Sequence, residues 1–225
     1  MASKPKTKMR LDLLLVERGL AESRSKAQAL IMAGKVHGSD RLLDKAGQEL
    51  PLDSQITVKG QDHPWVSRGG IKLAHGLREF AIDPKDLICL DVGASTGGFT
   101  DVLLHGGAAK VYAVDVGHGQ LAWSLRNDDR VVVLERTNAR YLSRDDVPDE
   151  IDLIVCDASF IGLRTVLPAA MALAGPGAGL IALIKPQFEV GPDRVGKGGV
   201  VRDPELHDEV CAEISAWLYG CSGSS

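Results

Sequence analysis

The chain has 225 residues, 44% hydrophobic and 25% charged, which is the composition of a folded globular protein with room for one medium domain and a small second one. Its net charge of −4 is uneven, because residues 1–60 hold 11 Lys and Arg against 7 Asp and Glu, whereas residues 61–225 hold 15 against 23, and a basic first segment suits a polyanionic partner. No apolar run reaches the ~18 residues of a membrane span, and the basic start MASKPKTKMR lacks the apolar stretch of a secretory signal, so we expect a cytoplasmic protein.

The first predicted elements are a short basic arm and a helix. Residues 1–8 carry three lysines without apolar periodicity, which predicts a flexible arm. Leu11, Leu14 and Leu15 then recur at helical spacing, and Gly19 provides a C-terminal stop. We therefore predict a short amphipathic helix immediately after the arm.

A second helix follows, with short strands after it. Ser23 is a suitable N-cap, Ala27 and Ile31 share one face, and Gly34 ends the helix. The predicted strands are Lys35–His37, Leu42–Leu43 and Gln55–Val58. Two helices and several small strands indicate a compact α+β unit over residues 9–60.

The amino-acid sequence of this unit, RLDLLLVERGLAESRSKAQALIMAGKVHGSD, resembles that of the S4 RNA-binding family. The resemblance implies that the second helix and the loop after it lie on structured RNA, where cations contact phosphates with little sequence selection. A solvated face on a helical hairpin is the alternative explanation of the same charges. The residues that we expect to bind RNA are Arg10, Arg24, Lys26, Lys35, Arg41 and Arg68.

The rest of the chain alternates apolar strand-like runs with helix-like segments. We predict a linker at residues 61–67, a second domain at residues 68–220 and a tail at residues 221–225. The predicted strands are Ile88–Val92, Val111–Val114, Val131–Leu134, Leu153–Cys156 and Leu180–Ile184. The alternation favours a Rossmann-like α/β fold with a doubly wound, mainly parallel sheet, which binds ligands at the carboxyl ends of its strands.

The spacing of the cysteines predicts neither a disulfide framework nor a zinc site. The four cysteines are Cys89, Cys156, Cys211 and Cys221. Two of them lie inside predicted strands, so we expect buried free thiols and no metal.

The first strand of the sheet runs into the glycine-rich sequence LDVGASTGGFTDVLL. A strand, a glycine loop and a helix in this order let the backbone approach a nucleotide cofactor closely. Gly93 and Gly98 fit the outer positions of the nicotinamide fingerprint Gly-x-Gly-x-x-Gly, but Ser95 holds the middle one, which counts against that cofactor. Asp115 ends the next strand, 22 positions after Gly93, and is suitably placed to hold the ribose hydroxyls of S-adenosylmethionine.

The loop resembles the first motif of the class I methyltransferases, whose cofactor is S-adenosyl-L-methionine. The resemblance implies contacts with the methionine end of the cofactor from Asp91, Gly93, Ala94, Ser95, Thr96, Gly97 and Phe99. After the third strand, Asn138, Ala139 and Arg140 lie where the family has groups near the adenine. A plain surface loop is an equal interpretation of those three residues.

Three polar residues lie where the catalytic groups of a doubly wound α/β fold are expected. Lys72 precedes the sheet in SRGGIKL, Asp157 follows the fourth strand in IVCDASF, and Lys185 follows the fifth in ALIKPQFE. Alone, such an aspartate often caps a helix, and such a lysine is usually a solvated side chain. Together they predict methyl transfer to a ribose hydroxyl, with Lys185 as general base, Asp157 as the residue that orients the pair, and Lys72 as holder of the substrate. A second lysine in the cleft favours the neutral amine that a base needs.

Residues 9–219 resemble the TlyA family, also called hemolysin A, which joins an S4 domain to an FtsJ-like methyltransferase domain. The segments HPWVSRGGIKL, LDVGASTGGFTDVLL, CDASFI and KPQFEVG carry the resemblance. It implies 2′-O-methylation of cytidine in ribosomal RNA by a Lys-Asp-Lys-Glu set, whose first three members match Lys72, Asp157 and Lys185. The family's glutamate lies in a C-terminal hairpin that we do not find here, and Glu189 belongs to a different motif. We therefore expect the final strands of the sheet to be missing.

Three other functions fit parts of this pattern. A fragment that binds RNA and the cofactor without turnover would agree with the missing fourth residue. A membrane-lytic protein would suit the hemolysin label, but we find no long apolar segment and no basic amphipathic helix with a large aromatic face. A Rossmann oxidoreductase is disfavoured by Ser95 and by the two lysines.

Overall fold

The computed structural model describes residues 8–21, 23–38, 41–59 and 63–222. Apart from Lys8, the predicted N-terminal arm lies outside these residues. The first part of the chain contains β1 (Lys8–Arg10), α1 (Leu11–Glu17), α2 (Arg24–Met32), β2 (Val36–His37), β3 (Glu49–Pro51) and β4 (Thr57–Val58). Strand β1 pairs with β3 and β2 pairs with β4, both antiparallel, so this part of the chain has two small two-stranded sheets beside its two helices in sequence.

The two predicted helices are confirmed, and the predicted strands are corrected in part. The Ser23 hydroxyl accepts a hydrogen bond from the Lys26 backbone N–H at 3.3 Å, and Gly34 ends α2 with a left-handed φ of +67°. The prediction of a strand at Leu42–Leu43 is wrong, because Leu42 forms only an isolated bridge to His37. The pairing of β1 with β3 was not predicted, since three-residue strands are too short to show an alternating pattern.

The second part of the chain forms a five-stranded parallel sheet covered by helices. Its elements are α3 (Gly69–Glu79), β5 (Ile88–Val92), α4 (Gly98–His105), β6 (Lys110–Val114), α5 (Trp123–Arg126), β7 (Val131–Leu134), β8 (Ile151–Cys156), α6 (Leu163–Met171), β9 (Ala174–Ala182), α7 (Pro186–Glu189) and α8 (Pro204–Ser222). The strand order is β7-β6-β5-β8-β9, and every pairing is parallel. The chain therefore has the predicted doubly wound α/β fold, with the switch point between β5 and β8.

The sheet separates two hydrophobic cores. On one face Leu90 packs with Leu167 of α6 and Ile214 of α8. On the other, Cys89 packs with helices α3 and α4, which contribute Leu73 and others. Burial on both faces explains why these strands read as continuous apolar runs, which made most of them predictable.

Strand β9 differs most from its prediction. The apolar run predicted a strand at Leu180–Ile184, whereas the observed strand is Ala174–Ala182. Its first six residues include Gly175, Pro176, Gly177 and Gly179, residue types that are depleted in strands and that concealed it.

The segment predicted as a linker packs against the second domain in its described part. The side chains of Trp65 and Val66 are partly buried against the core of α3 and α4, and the Val66 N–H donates to Asp101 Oδ2 at 2.8 Å. A Cβ at Gly19, just beyond α1, would lie 3.3 Å from the Val66 Cβ, so the first module also contacts this segment.

Two predictions concern cysteines and membrane spans. All four cysteines are free thiols, but only Cys89 and Cys156 are buried as expected, whereas Cys211 and Cys221 are exposed on α8. Within the described ranges, no helix is both long enough and apolar enough to cross a membrane.

Candidate active site

Two adjoining cavities open at the carboxyl ends of β5, β6 and β8. The first cavity, of about 370 Å³, is lined by residues that include Val114, Asp115, Asn138, Ala139, Phe160 and Val166. The second cavity, of about 380 Å³, is lined by residues that include Ser67, Arg68, Lys72, Thr96, Phe99 and Lys185. Gly93, Ser95, Asp157 and Ser159 line both. A ligand in one cavity therefore lies directly beside a ligand in the other.

The glycine loop between β5 and α4 forms the wall that the cavities share. Gly93 has a φ of +85°, and a Cβ there would lie 3.0 Å from the Ala158 Cα, so no side chain fits between the loop and β8. Gly97 has a φ of +91°, but a Cβ there would overlap Leu125. Gly97 thus serves helix packing, and it is not among the residues that line either cavity.

Asp115 follows β6 and connects the end of that strand to the glycine loop through hydrogen bonds. Its Oδ2 accepts from the Ser95 backbone N–H at 2.8 Å, and its Oδ1 accepts from the Gly117 N–H at 2.7 Å. A carboxylate has about four acceptor positions, so both oxygens can accept further bonds from a ligand in the first cavity.

Asp91 occupies a different place from the other predicted cofactor residues. It is fully buried inside β5 and lines neither cavity. Its Oδ2 accepts from the Thr100 N–H at 2.9 Å and from the Thr100 hydroxyl at 2.7 Å, while Oδ1 has no hydrogen-bond partner in the part of the chain that the structure describes. Burial raises the pKa of Asp91 to about 7, although the bonds from Thr100 act in the opposite direction.

Of the three residues after β7 that were predicted near adenine, two line the first cavity and one does not. Asn138 and Ala139 line the first cavity. Arg140 does not: its Nε donates to Asn138 Oδ1 at 3.3 Å, and its guanidinium lies 5.2 Å from the Tyr141 ring centroid.

The three predicted catalytic residues form one cluster where the cavities meet. Lys72 Nζ lies 3.0 Å from Asp157 Oδ2, and Lys185 Nζ lies 2.6 Å from Asp157 Oδ1. Lys185 also donates to the Asp157 carbonyl at 3.1 Å and to the Ser159 hydroxyl at 2.8 Å. Lys72 on α3 is half-exposed, whereas Asp157 and Lys185 are mostly buried. The aspartate thus holds two ammonium groups on opposite oxygens.

Ser159 and Phe160 were not predicted as site residues, and Glu189 was assigned to a different motif. The Ser159 hydroxyl accepts a hydrogen bond from Lys185 Nζ, and Ser159 lies two residues after Asp157. Phe160 is 91% exposed, has a left-handed φ of +65°, and stands 5.3 Å from Phe188 by ring centroids. The run DASF directly after a central strand was the available signal for both. Glu189 accepts from the Leu163 N–H at 2.8 Å and so caps α6 rather than facing the cavities.

The basic residues predicted to bind RNA fall into three groups. Arg10 and Arg24 both pair with buried Asp12. Lys26, Lys35 and Arg41 are exposed on the first module. Arg68, also exposed, lines the second cavity near Lys72. Over the described residues, no cluster of His, Cys, Asp and Glu side chains is arranged to hold a metal ion.

Comparison with known proteins agrees with this architecture. The family model of the FtsJ-like methyltransferases matches residues 65–223, and that of the S4 domain matches residues 9–52. YqxC of Bacillus subtilis is 50% identical over 223 residues, which cover 97% of this chain and 79% of the relative. The 16S/23S rRNA (cytidine-2′-O)-methyltransferase TlyA of Mycobacterium tuberculosis is 54% identical over 198 residues, 88% of this chain and 74% of the relative. A solved structure from Streptococcus thermophilus that carries a hemolysin name is 41% identical, with a TM-score of 0.69, and the match covers 94% of this chain and 78% of that one.

The fold, the site and the two matched domains define a class: an FtsJ-like methyltransferase with an S4 domain. Sequence identities of 50% and 54% to two relatives, over most of the chain, assign it to one family within that class. The chain belongs to the TlyA family.

Proposed function

We propose that this chain transfers a methyl group from S-adenosylmethionine to the 2′-hydroxyl of a cytidine in ribosomal RNA. The observation that carries the proposal is the cluster of Lys72, Asp157 and Lys185 at the junction of two cavities, one suited to a cofactor and one open to a ribose. The name of the Mycobacterium tuberculosis relative supports the same reaction. An enzyme with this substrate would work in the cytoplasm.

The first cavity fits S-adenosylmethionine. Gly93 borders the first cavity without a side chain, so a ligand there can approach its backbone. The Asp115 carboxylate suits two ribose hydroxyls, and Val114 and Val166 offer apolar surface to an adenine. Asp91 borders neither cavity and would act on the cofactor only indirectly, by anchoring Thr100 in the first turn of the helix that follows the glycine loop. When bound, this cofactor supplies an electrophilic methyl carbon.

The catalytic cluster would position and deprotonate the attacking hydroxyl. Lys72 is exposed toward the second cavity and would hold the ribose or its phosphate. Lys185 would accept the hydroxyl proton on Nζ as the oxygen forms its bond to the methyl carbon. The bond between that carbon and the sulfonium sulfur would break in the same step and leave a neutral thioether, and Lys185 would then release the proton to solvent. Lys72 and Lys185 lie on opposite oxygens of Asp157, so both amines face the junction of the two cavities. Asp157 holds both amines in place, so that little reorganisation is needed during the reaction.

The surroundings of the cluster suit a nucleotide turned out of its stack. Arg68 beside the second cavity offers a cation to a phosphate. The exposed ring of Phe160, three residues after Asp157, offers a surface on which a base can stack. The exposed cations of the S4 domain would bind more distant phosphates of the same RNA.

Transfer of labelled methyl from S-adenosylmethionine to purified ribosomal subunits tests the proposal. We expect label in RNA with the wild-type chain, loss of at least about 100-fold with Lys185→Ala, and little change with the control Lys197→Ala, which removes an exposed lysine outside the cluster. Nuclease digestion of the product should place the label on the ribose of cytidine. Label on a base, or full activity in Lys185→Ala, would contradict the mechanism.

The same assay addresses the alternative of binding without turnover. A wild-type chain that binds both S-adenosylmethionine and ribosomal RNA in separate titrations, but transfers no label, would favour that alternative.

A further inference from the structure

Asp12 is a buried carboxylate in the S4 domain that pairs with two arginines. Its side chain, on the first turn of α1, is 0% exposed. Arg10 donates to it through Nε at 3.0 Å and Nη2 at 2.9 Å, and Arg24 donates through Nε at 2.9 Å. Gln28 Nε2 and the Leu13 backbone N–H, each at 3.0 Å, complete its set of donors.

The two arginines come from different elements, and Asp12 connects them. Arg10 ends β1, whereas Arg24 begins α2. The side chains of both remain accessible, at 41% and 55% exposure, although their Nε edges face inward. The Asp12 contact of Arg24 uses Nε alone, which leaves the two terminal nitrogens of the guanidinium for an outside acceptor.

Asp12 lowers the positive charge by which this group of side chains would attract RNA. Two arginines and one aspartate have a net charge of +1, and the same site without the aspartate would have +2. Each buried carboxylate also carries a desolvation cost that a neutral residue avoids. An aspartate at this place is therefore unfavourable for RNA attraction unless it contributes by ordering the arginines.

We propose that Asp12 is a positioning residue for RNA, which holds Arg10 and Arg24 in the orientation that contacts phosphates. Free arginine side chains lose rotamer freedom when they bind, and a fixed pair has already lost it. This inference rests on the proposed action on RNA, and it adds a residue that does not itself contact the substrate.

The test compares Asp12→Asn with the wild-type full chain in binding to fluorescently labelled ribosomal RNA over a range of salt concentrations. Attraction by net charge alone predicts tighter binding and a steeper salt dependence for Asp12→Asn. Positioning predicts binding about tenfold weaker and a shallower salt dependence, because ordered phosphate contacts are lost. The matched control is Asp44→Asn, which removes the same charge from an exposed position of this module and should bind no more weakly than the wild type.

Two further comparisons separate positioning from a purely structural role. In an Arg10→Ala/Arg24→Ala background, Asp12→Asn should have no additional effect on RNA affinity, since nothing is left to position. Arg24→Lys keeps the charge on a half-exposed side chain but loses the Nε contact, so it should weaken RNA binding severalfold, whereas Arg41→Lys should not.

The outcomes distinguish this inference from the proposed function. Asp12→Asn that lowers the melting temperature but leaves RNA affinity and its salt dependence unchanged would overturn the inference alone, as would tighter binding. Weaker binding by Asp12→Asn together with no methyl transfer by the wild type would support the inference and overturn the enzymatic proposal. A wild-type chain without affinity for ribosomal RNA would overturn both.

Discussion

Asp91 and Asp157 belong to neighbouring strands of one sheet but have opposite surroundings. Asp91 lies within β5, is wholly buried, and anchors Thr100 in the first turn of α4. Asp157 follows β8, borders both cavities and binds two lysines. Burial without a cation suits a carboxyl group that supports the loop, whereas partial exposure between two cations suits a carboxylate that organises a reaction.

Replacement of Asp91 by asparagine should change how stability depends on pH. Because the folded-state pKa of about 7 lies above the ordinary value of 3.8, the folded protein binds more protons here than the unfolded chain between those pH values. The resulting stability is complete below about pH 4 and is lost as the pH rises through about 7. Asparagine keeps an acceptor for Thr100 and does not ionise, so Asp91→Asn should gain melting temperature relative to the wild type between pH 5 and pH 8. Thermal unfolding at both pH values measures this, with exposed Asp86→Asn as the control. An equal offset at the two pH values would contradict it.

Replacement of Phe160 by alanine tests its stacking role. A base stacked on an aromatic ring contributes about 1–3 kcal/mol, so kcat/KM for ribosomal RNA should fall by about 5- to 150-fold. Phe160→Tyr should restore most of the activity, because it keeps the ring. Calorimetric titration with S-adenosylmethionine is the companion measurement, since Phe160 also borders the first cavity. A parallel loss of cofactor affinity would assign the ring to the cofactor instead.

At the scale of elements, the turn from β5 into α4 depends on two glycines for different reasons. Gly93 lies against β8 and borders the cavities, whereas Gly97 lies under α5, where Leu125 and Leu121 occupy the space of a Cβ. The same glycine-rich sequence therefore combines a ligand-approach position with a helix-packing position.

Gly97→Ala should destabilise this turn more than its backbone conformation alone requires. An alanine at φ +91° costs about 1–2 kcal/mol, and overlap with Leu125 adds about 1–3 kcal/mol. Gly119→Ala is the matched control, because Gly119 also has a positive φ of +68°, but a Cβ there would meet no described atom within 4 Å. Denaturant unfolding should give a larger loss for Gly97→Ala; equal losses would mean that α5 moves away freely.

The elements also indicate what the sequence could and could not predict. Strands buried on both faces were predictable because their apolar runs are continuous, and the meeting of Asp157 with Lys185 followed from the shared edge of parallel strands. Lys72 lies on α3, outside the sheet, and its place rested on family resemblance. The contact of Ser159 with Lys185 joins segments 26 residues apart. The contacts of Asp12 with Arg24 and Gln28 join segments 12 and 16 residues apart, and periodicity reports neither kind of contact. The domain limits and the roles of the site residues stay predictions.

At the scale of the whole molecule, the two parts of the chain have opposite net charges and different tasks. Residues 1–60 carry 11 Lys and Arg against 7 Asp and Glu, and residues 61–225 carry 15 against 23. An acidic catalytic part repels RNA over most of its surface, so productive approach depends on the basic S4 domain and on the cations beside the second cavity. The uneven distribution of charge therefore sets both the orientation in which RNA approaches the chain and the affinity with which it binds.

RNA affinity should therefore lose salt dependence when cations of the S4 domain are removed. Each phosphate contact contributes about 0.7–0.9 to the slope of log affinity against log salt, so Lys26→Gln/Arg41→Gln should reduce the slope by about 1.4–1.8 if both residues touch phosphates. The control, Lys85→Gln/Arg144→Gln, removes two exposed cations from the catalytic domain, outside both cavity linings, and should leave the slope unchanged. Filter binding of ribosomal RNA between 50 and 300 mM salt, about the range in which such slopes are linear, measures both. Equal reductions in the two double variants would mean that net charge alone, and not the S4 surface, governs the encounter with RNA.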